Sequence, residues 1–484
     1  MARWAPTAAL IGVVAGLGAA ALFGLLHLCT GWLLESVAGY RPYRSSAEGG
    51  FRELAGSGRP WLVPLVAAGG ALLATAFAVW LAPEARGHGT DAAIAAAHRD
   101  PTGMRGRVTV VKLVASAVTI GSGGSGGTEG PAAQISAAFG SVIARRTGMS
   151  RQQARTALVI GLAAGVGAIF KAPLGGALLG AELLYRRDMD ARILPKALIA
   201  SVAGWLVFGA CYGFAPALGG HGGQGAGGAA GLALVAVVGL VAGGAGRLYT
   251  WCFYAVHTRV EARARSTLAR IAVPAVAALL VGGLGLLVPG VLGTGYGLME
   301  ALTSRRLLLD LPLAVVLAIP AAKIAGTALT VGSGGSGGIF GPCMVVGAGV
   351  GAAVWRLAEP LGLAPGGPLV AVAAGMAACL GAVANAPLGV LVMAAEMLGD
   401  ASLLGPGILA VLCARAVTGG VTLYRSQLDR IEDEPDHGRR PPPPDRPNRT
   451  QRRTRRRTVV APVRRPPAPG ADPVAVNSPD PVPD

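Results

Sequence analysis

Two stretches of this chain, "KLVASAVTIGSGGSGG" from Lys112 and "KIAGTALTVGSGGSGG" from Lys323, are near-copies of one segment at an offset of 211. A second pair, "GLAAGVGAIFKAPLGGALLGAEL" from Gly161 and "GMAACLGAVANAPLGVLVMAAEM" from Gly375, keeps nearly that offset, 214. Matching offsets over such a length mark an internal duplication, so the fold consists of two similar halves. The medium for that fold follows from the uncharged runs 6–34, 60–83, 197–246, 271–299, 324–355 and 361–395. A bilayer span takes about 20 apolar residues. Several of these runs cross once, and 197–246 is long enough to cross twice around "GGHGGQGAGG".

Composition agrees: 52% of residues are hydrophobic and 14% charged, with a mean hydropathy of +0.54, far from a soluble globular chain. The N-terminal apolar run is too long for a secretory signal and reads as the first span. The six cysteines are scattered without CxxC spacing, which indicates neither a disulfide framework nor a zinc site, and no metal or cofactor is expected. The net charge of +17 does not point to nucleic acid, because its dense cluster, "RTQRRTRRRT", lies in a proline-rich tail. Residues 431–484 are expected to be disordered. The basic tail places the C-terminus on the cytoplasmic side and suits contact with anionic lipid.

Duplicated membrane halves with interrupted helices are a transporter architecture in which helix ends meet near the midplane. The segments 130–144 and 156–170 are uncharged but below spanning length, and read as half-helices or strongly tilted ones. Each copy of "GSGGSGG" exposes peptide N–H groups free of side chains. Pro131 and Pro342 just beyond suit a first helical turn. A loop feeding a helix N-terminus favours an anion, so two such termini make a buried site for a small anion. A dinucleotide reading of "GSGGSG" lacks a strand–helix–strand setting. A membrane-embedded serine protease, with Ser125 in "GGSG" as nucleophile and His257 as base, is the different-class alternative. Close helix packing through small residues accounts for some of the glycines. Glu129 separates these readings. An ionisable group among spans costs roughly 2.5–3.5 kcal/mol and marks function by default. At a helix N-terminus its carboxylate occupies the place of an anion, which makes it a gate displaced by anions or neutralised by a proton.

With these residues in place, the chain resembles the CLC family of chloride channels and chloride/proton antiporters, of the bacterial type without C-terminal cystathionine-β-synthase-type domains. "GTEGP" is similar to the family's G(K/R)EGP, implying that Glu129 is the gating glutamate, with Gly127, Gly130 and Pro131 in the motif. "GGIFGP" matches GxFxP, implying that Gly338 and the amides of Ile339 and Phe340 bind the anion, with Gly341 and Pro342 completing the motif. "TLYRSQL" resembles the segment supplying a tyrosine hydroxyl, here Tyr424. The resemblance implies an all-α polytopic membrane fold: an inverted repeat of tilted and broken helices, residues 1–430, with halves of about 8–215 and 228–430. It further implies a homodimer with one pore per subunit in the bacterial cell membrane, both termini cytoplasmic, and transport of chloride or a similar anion, not enzymatic activity.

Three departures bear on mechanism. The family's GSGIP is represented by "ARGHGTDAAI", with His88 at the serine position. His88 either donates to the anion or points into the cytoplasmic vestibule. Thr128 stands where the family has a basic residue. Finally, Glu182 aligns with the first of two glutamates that many exchangers carry, while Leu183 takes the place of the second, which passes protons. Leucine relays no proton, which inclines the reading toward passive, channel-like conduction gated by Glu129. A chloride/proton antiporter is the alternative, with Glu129 and, weakly, Glu182 on the proton pathway.

Overall fold

A computed structural model describes residues 4–433 apart from 49, 55 and 220–226. The tail therefore lies outside the described residues from 434 onward, as do His221 and most of the glycine-rich loop around it. Ile431–Asp433, at the start of the segment expected to be disordered, forms a short 3-10 turn.

Among the described residues there are seventeen α-helices and no β-strand. The first half contains α1 (Ala5–Cys29, prolonged by a π-helical stretch Thr30–Val37), α2 (Leu62–Leu81), α3 (Thr90–Arg99), α4 (Gly106–Gly121), α5 (Glu129–Arg146), α6 (Arg151–Ile169), α7 (Pro173–Glu182) and α8 (Leu194–Tyr212). The second contains α9 (Gly228–Arg263), α10 (Thr267–Leu287), α11 (Tyr296–Thr303), α12 (Arg305–Asp310), α13 (Leu313–Thr330), α14 (Phe340–Ala358), α15 (Leu369–Val383), α16 (Pro387–Leu398) and α17 (Leu404–Thr418). Among the described residues, eight helices are long and apolar enough to cross a membrane. Large apolar side chains such as Leu17, Leu73, Trp80, Trp251 and Leu280 stay exposed on them, as a lipid-facing surface requires.

The packing repeats with the sequence. α5 packs on α6 as α14 does on α15, and α1 on α8 as α9 does on α17, while α7 meets α16 and α2 meets α10 across the halves. Small residues allow these approaches: a Cβ on Gly140 would strike the Ala157 carbonyl, and one on its counterpart Gly351 that of Ala371. The breaks repeat too. Lys171 and Asn385 both have φ +54° and each precedes an Ala-Pro that opens the next helix, α7 or α16. The left-handed turn and the proline together end one helix and start another in a new direction. Asn tolerates this conformation; Lys171 adopts it with its Nζ donating to the Tyr212 carbonyl at 3.1 Å.

As the glycine loop before Pro342 implies, the uncharged run 324–355 is divided between α13 and α14. Of the two readings of 130–144 and 156–170, half-helices or strongly tilted ones, the first needs correction. α5 and α6 run 18 and 19 residues, because Arg145, Arg146 and Arg151 continue the helices beyond the uncharged cores.

The halves are locked by a reciprocal exchange. Glu182, at the end of α7, accepts the N–H groups of Leu388 (3.2 Å) and Gly389 (2.7 Å) in the first turn of α16. Glu396 of α16 accepts those of Leu174 (3.1 Å) and Gly175 (2.7 Å) in α7. Each carboxylate caps the other half's helix. Glu396→Ala is expected to lower stability by about 2–3 kcal/mol, since it strands two amides and a hydrogen bond to a charged group is lost. Thermal unfolding in detergent should show Glu182→Ala costing nearly the same.

Candidate functional site

The two glycine loops meet at the centre. Gly127 and Gly338 form an antiparallel bridge, each N–H donating to the other's carbonyl at 2.9 and 2.7 Å. Side chains repeat the pairing on both sides: Ser116 Oγ lies 2.9 Å from Ser336 Oγ, and Ser125 Oγ 3.1 Å from Thr327 Oγ1. These are the same two positions exchanged, because 116 + 211 = 327 and 125 + 211 = 336. A pseudo-two-fold axis thus passes between Gly127 and Gly338. Two buried lysines hold the flanking loops, Lys112 Nζ donating to the carbonyls of Ala85 and Gly87 and Lys323 Nζ to those of Gly290, Val291 and Gly293.

The bridge brings together the N-termini of α5 and α14, each with first-turn amides that have no intrahelical acceptor. Glu129 opens α5 and is 1% exposed. Its Oε1 accepts the N–H of Gly341 in α14 at 2.7 Å, and its Oε2 accepts the hydroxyl of Tyr296 at 2.8 Å. The carboxylate lies so close to the glycine loops that a Cβ on Gly127 or Gly338 would strike it. The amides of Ile339 and Phe340 lead into the same turn of α14, and the Ile339 carbonyl is held by the Tyr249 hydroxyl at 2.6 Å. The amide of Gly338, offered to an anion on sequence grounds, is instead engaged by the Gly127 carbonyl. Gly130 packs under the His88 carbonyl and Gly338 Cα, leaving no room for a side chain.

At the other end, Gly87 and Gly89 have φ of +71° and +84°, which turns the chain sharply around His88 into α3. The His88 ring lies 5.9 Å from that of Tyr424. Among the described residues, His88 Nδ1 and Tyr424 Oη are both buried without a hydrogen-bond partner. Buried polar atoms are nearly always satisfied, so an orphaned pair here marks a place for a polar or charged guest. Tyr424 is pinned from several directions. Asp91 of α3 accepts the N–H and hydroxyl of Ser426, both at 2.8 Å. The Tyr254 hydroxyl holds the Leu423 carbonyl at 2.9 Å, and Gln427 donates to the carbonyls of Leu183 and Ala384, both at 2.9 Å.

Other sequence candidates are placed differently. Both oxygens of Glu182 serve the α16 cap. Leu183 is buried, 1% exposed. Ser125 bonds Thr327 and Thr330, while His257 pairs with Glu261 and stacks on Phe253; among the described residues Ser125 and His257 form no nucleophile–base pair. Tyr296 escaped the sequence reading, although a signal existed. "GTGY" at Gly293 repeats "GHGT" at Gly87, with glycine φ of +67° and +83° matching +71° and +84°; Tyr296 is the counterpart of Thr90.

A family model described as voltage gated chloride channel matches residues 69–419. A voltage-gated ClC-type chloride channel ClcB of Shigella flexneri is 32% identical over 330 residues, 66% of this chain and 75% of that protein. A putative chloride channel protein ClcB-like of Ralstonia nicotianae is 28% identical over 345 residues, 68% and 77% of the two chains. The crystal structure of a slow cyanobacterial Cl-/H+ antiporter superposes with a TM-score of 0.74 at 21% identity, covering 87% of this chain and 96% of its own. That of a CLC-type fluoride/proton antiporter gives 0.70 at 19%, covering 89% and 98%.

The Asp91–Ser426 contact generates a test. Asp91→Ala is expected to speed amide hydrogen exchange at 423–427 by about ten-fold or more, because removing a charged acceptor frees the segment to open locally.

Proposed function

Since this chain belongs to the voltage-gated chloride channel family, we propose that it carries chloride across the membrane through a site between Glu129, the α14 N-terminus and Tyr424. The observation that carries the reading is the Glu129 carboxylate itself, seated on the Gly341 amide where a transported anion would find unpaired N–H groups and the positive end of a helix. Ile339 and Phe340 are the backbone donors, Tyr424 Oη supplies a hydroxyl, and His88 Nδ1 faces the same orphaned space. An anion arriving on the helix end competes with the carboxylate, and a proton on Glu129 removes its charge and frees the place. Weak, largely backbone binding allows release as well as capture.

Orientation follows from charge. The α9–α10 turn carries Arg259, Arg263, Arg265 and Arg270, which makes it cytoplasmic by the positive-inside rule. Arg86, Gly87, His257 and Arg270 line one cavity of about 430 Å³ beside that turn. The His88–Tyr424 end is therefore inner and the Glu129–Tyr296 end outer.

Leu183 offers no titratable group where a cytoplasmic proton relay would stand, and this favours passive, channel-like conduction. Proton-coupled exchange is the second reading, favoured by the buried, protonatable carboxylate of Glu129. Liposomes with a chloride gradient and the potential clamped by valinomycin separate the two. Chloride efflux without uphill proton movement supports conduction, and chloride-driven uphill proton movement supports exchange. In either case Glu129→Ala is expected to make chloride flux independent of external pH between about 5 and 8. An unchanged pH response in that variant counts against the gate.

A further inference from the structure

Glu129 is held by more than the helix end. Tyr296 opens α11 after Gly295, whose φ of +83° directs the chain into that helix. From there its hydroxyl reaches Oε2 of Glu129 at 2.8 Å. The ring lies 5.8 Å from that of Phe170, and a Cβ at Gly341 would strike the hydroxyl, so glycine at that position makes the approach possible. Tyr296 also borders a narrow cavity shared with Glu48, Thr128, Phe170 and Phe23. Tyr249 of α9, Lys323 of α13, Cys343 of α14 and Tyr424 are the other titratable groups near enough to Glu129 to feel its charge, yet among the described residues Tyr296 is the one side chain that donates to it.

We propose that Tyr296 is the latch of the anion gate: its hydroxyl holds the ionised Glu129 carboxylate on the α14 N-terminus, and its release lets the carboxylate leave the site. This rests on the reading of Glu129 as the gate. An ionised carboxylate only accepts hydrogen bonds, and a bond to a charged acceptor is stronger than one to a neutral acceptor. Tyr296 therefore favours the charged, site-filling state over the protonated one. Tyr296 is a positioning residue, acting through Glu129 and touching no anion.

Tyr296→Phe keeps the ring and removes the donor. Loss of a hydrogen bond to a charged group shifts an equilibrium by about ten-fold or more. Chloride efflux from liposomes at neutral external pH is expected to rise by that order, with acid activation setting in at higher pH. In a Glu129→Ala background the same substitution should change neither flux nor its pH response, because the latch then has nothing to hold. A Tyr296→Phe profile that superposes on the wild type, or an equal effect with and without Glu129, overturns the latch while leaving the gate standing. A Glu129→Ala variant that keeps its pH response overturns the gate and the latch with it.

Discussion

The antiparallel contact between Gly127 and Gly338 is the constraint on which the rest of the molecule depends. It points two helix N-termini at one another inside a membrane, where water cannot satisfy their amides and where two positive dipole ends repel. Such a junction needs negative charge between the helices, and the sequence supplies it asymmetrically. Glu129 in the first half has Phe340 as its counterpart in the second (129 + 211 = 340). One carboxylate therefore serves both helix ends. A symmetric frame with an asymmetric charge leaves the opposite side of the junction to the uncharged hydroxyl of Tyr424 and to His88.

Much of this was legible before any coordinates. The duplication, the helix-opening glycine loops and the odd glutamate follow from residue identity and spacing. Glu182 and Glu396 stand at counterpart positions (182 + 214 = 396), and the reciprocal caps are the structural task they share. What stayed hidden depends on contacts between segments that are far apart in sequence. The Gly338 amide looked free because nothing in one loop says that the other loop's carbonyl will take it. Tyr296 sits in a four-residue echo of the His88 turn, too short to stand out among 75 glycines. Asp91 shows no task in the sequence, because its partner Ser426 lies 335 residues away.

Lys112 and Lys323 illustrate the same economy. Each is buried, 0% and 1% exposed, and among the described residues its Nζ donates to backbone carbonyls, not to carboxylates. The loops they gather contain the Gly-x-Gly turns that aim α3 and α11 at the site. A cation set against the carbonyl side of a turn, and an anion against the amide side of a helix, satisfy the broken backbone that a midplane site requires. The two Gly-x-Gly turns are thus variants of one device, with His88 and Thr90 in one and Thr294 and Tyr296 in the other.

The crossed caps of α7 and α16 also set a schedule for biosynthesis. When Glu182 emerges from the ribosome, the amides it will cap are still 206 residues ahead. At roughly 5–20 residues per second the first half waits some tens of seconds in the bilayer with α7 uncapped and its interior face uncovered. During that interval it depends on lipid, chaperone or insertion machinery for cover. The same logic bears on ancestry: a single unduplicated half would have found its caps only in a second copy of itself.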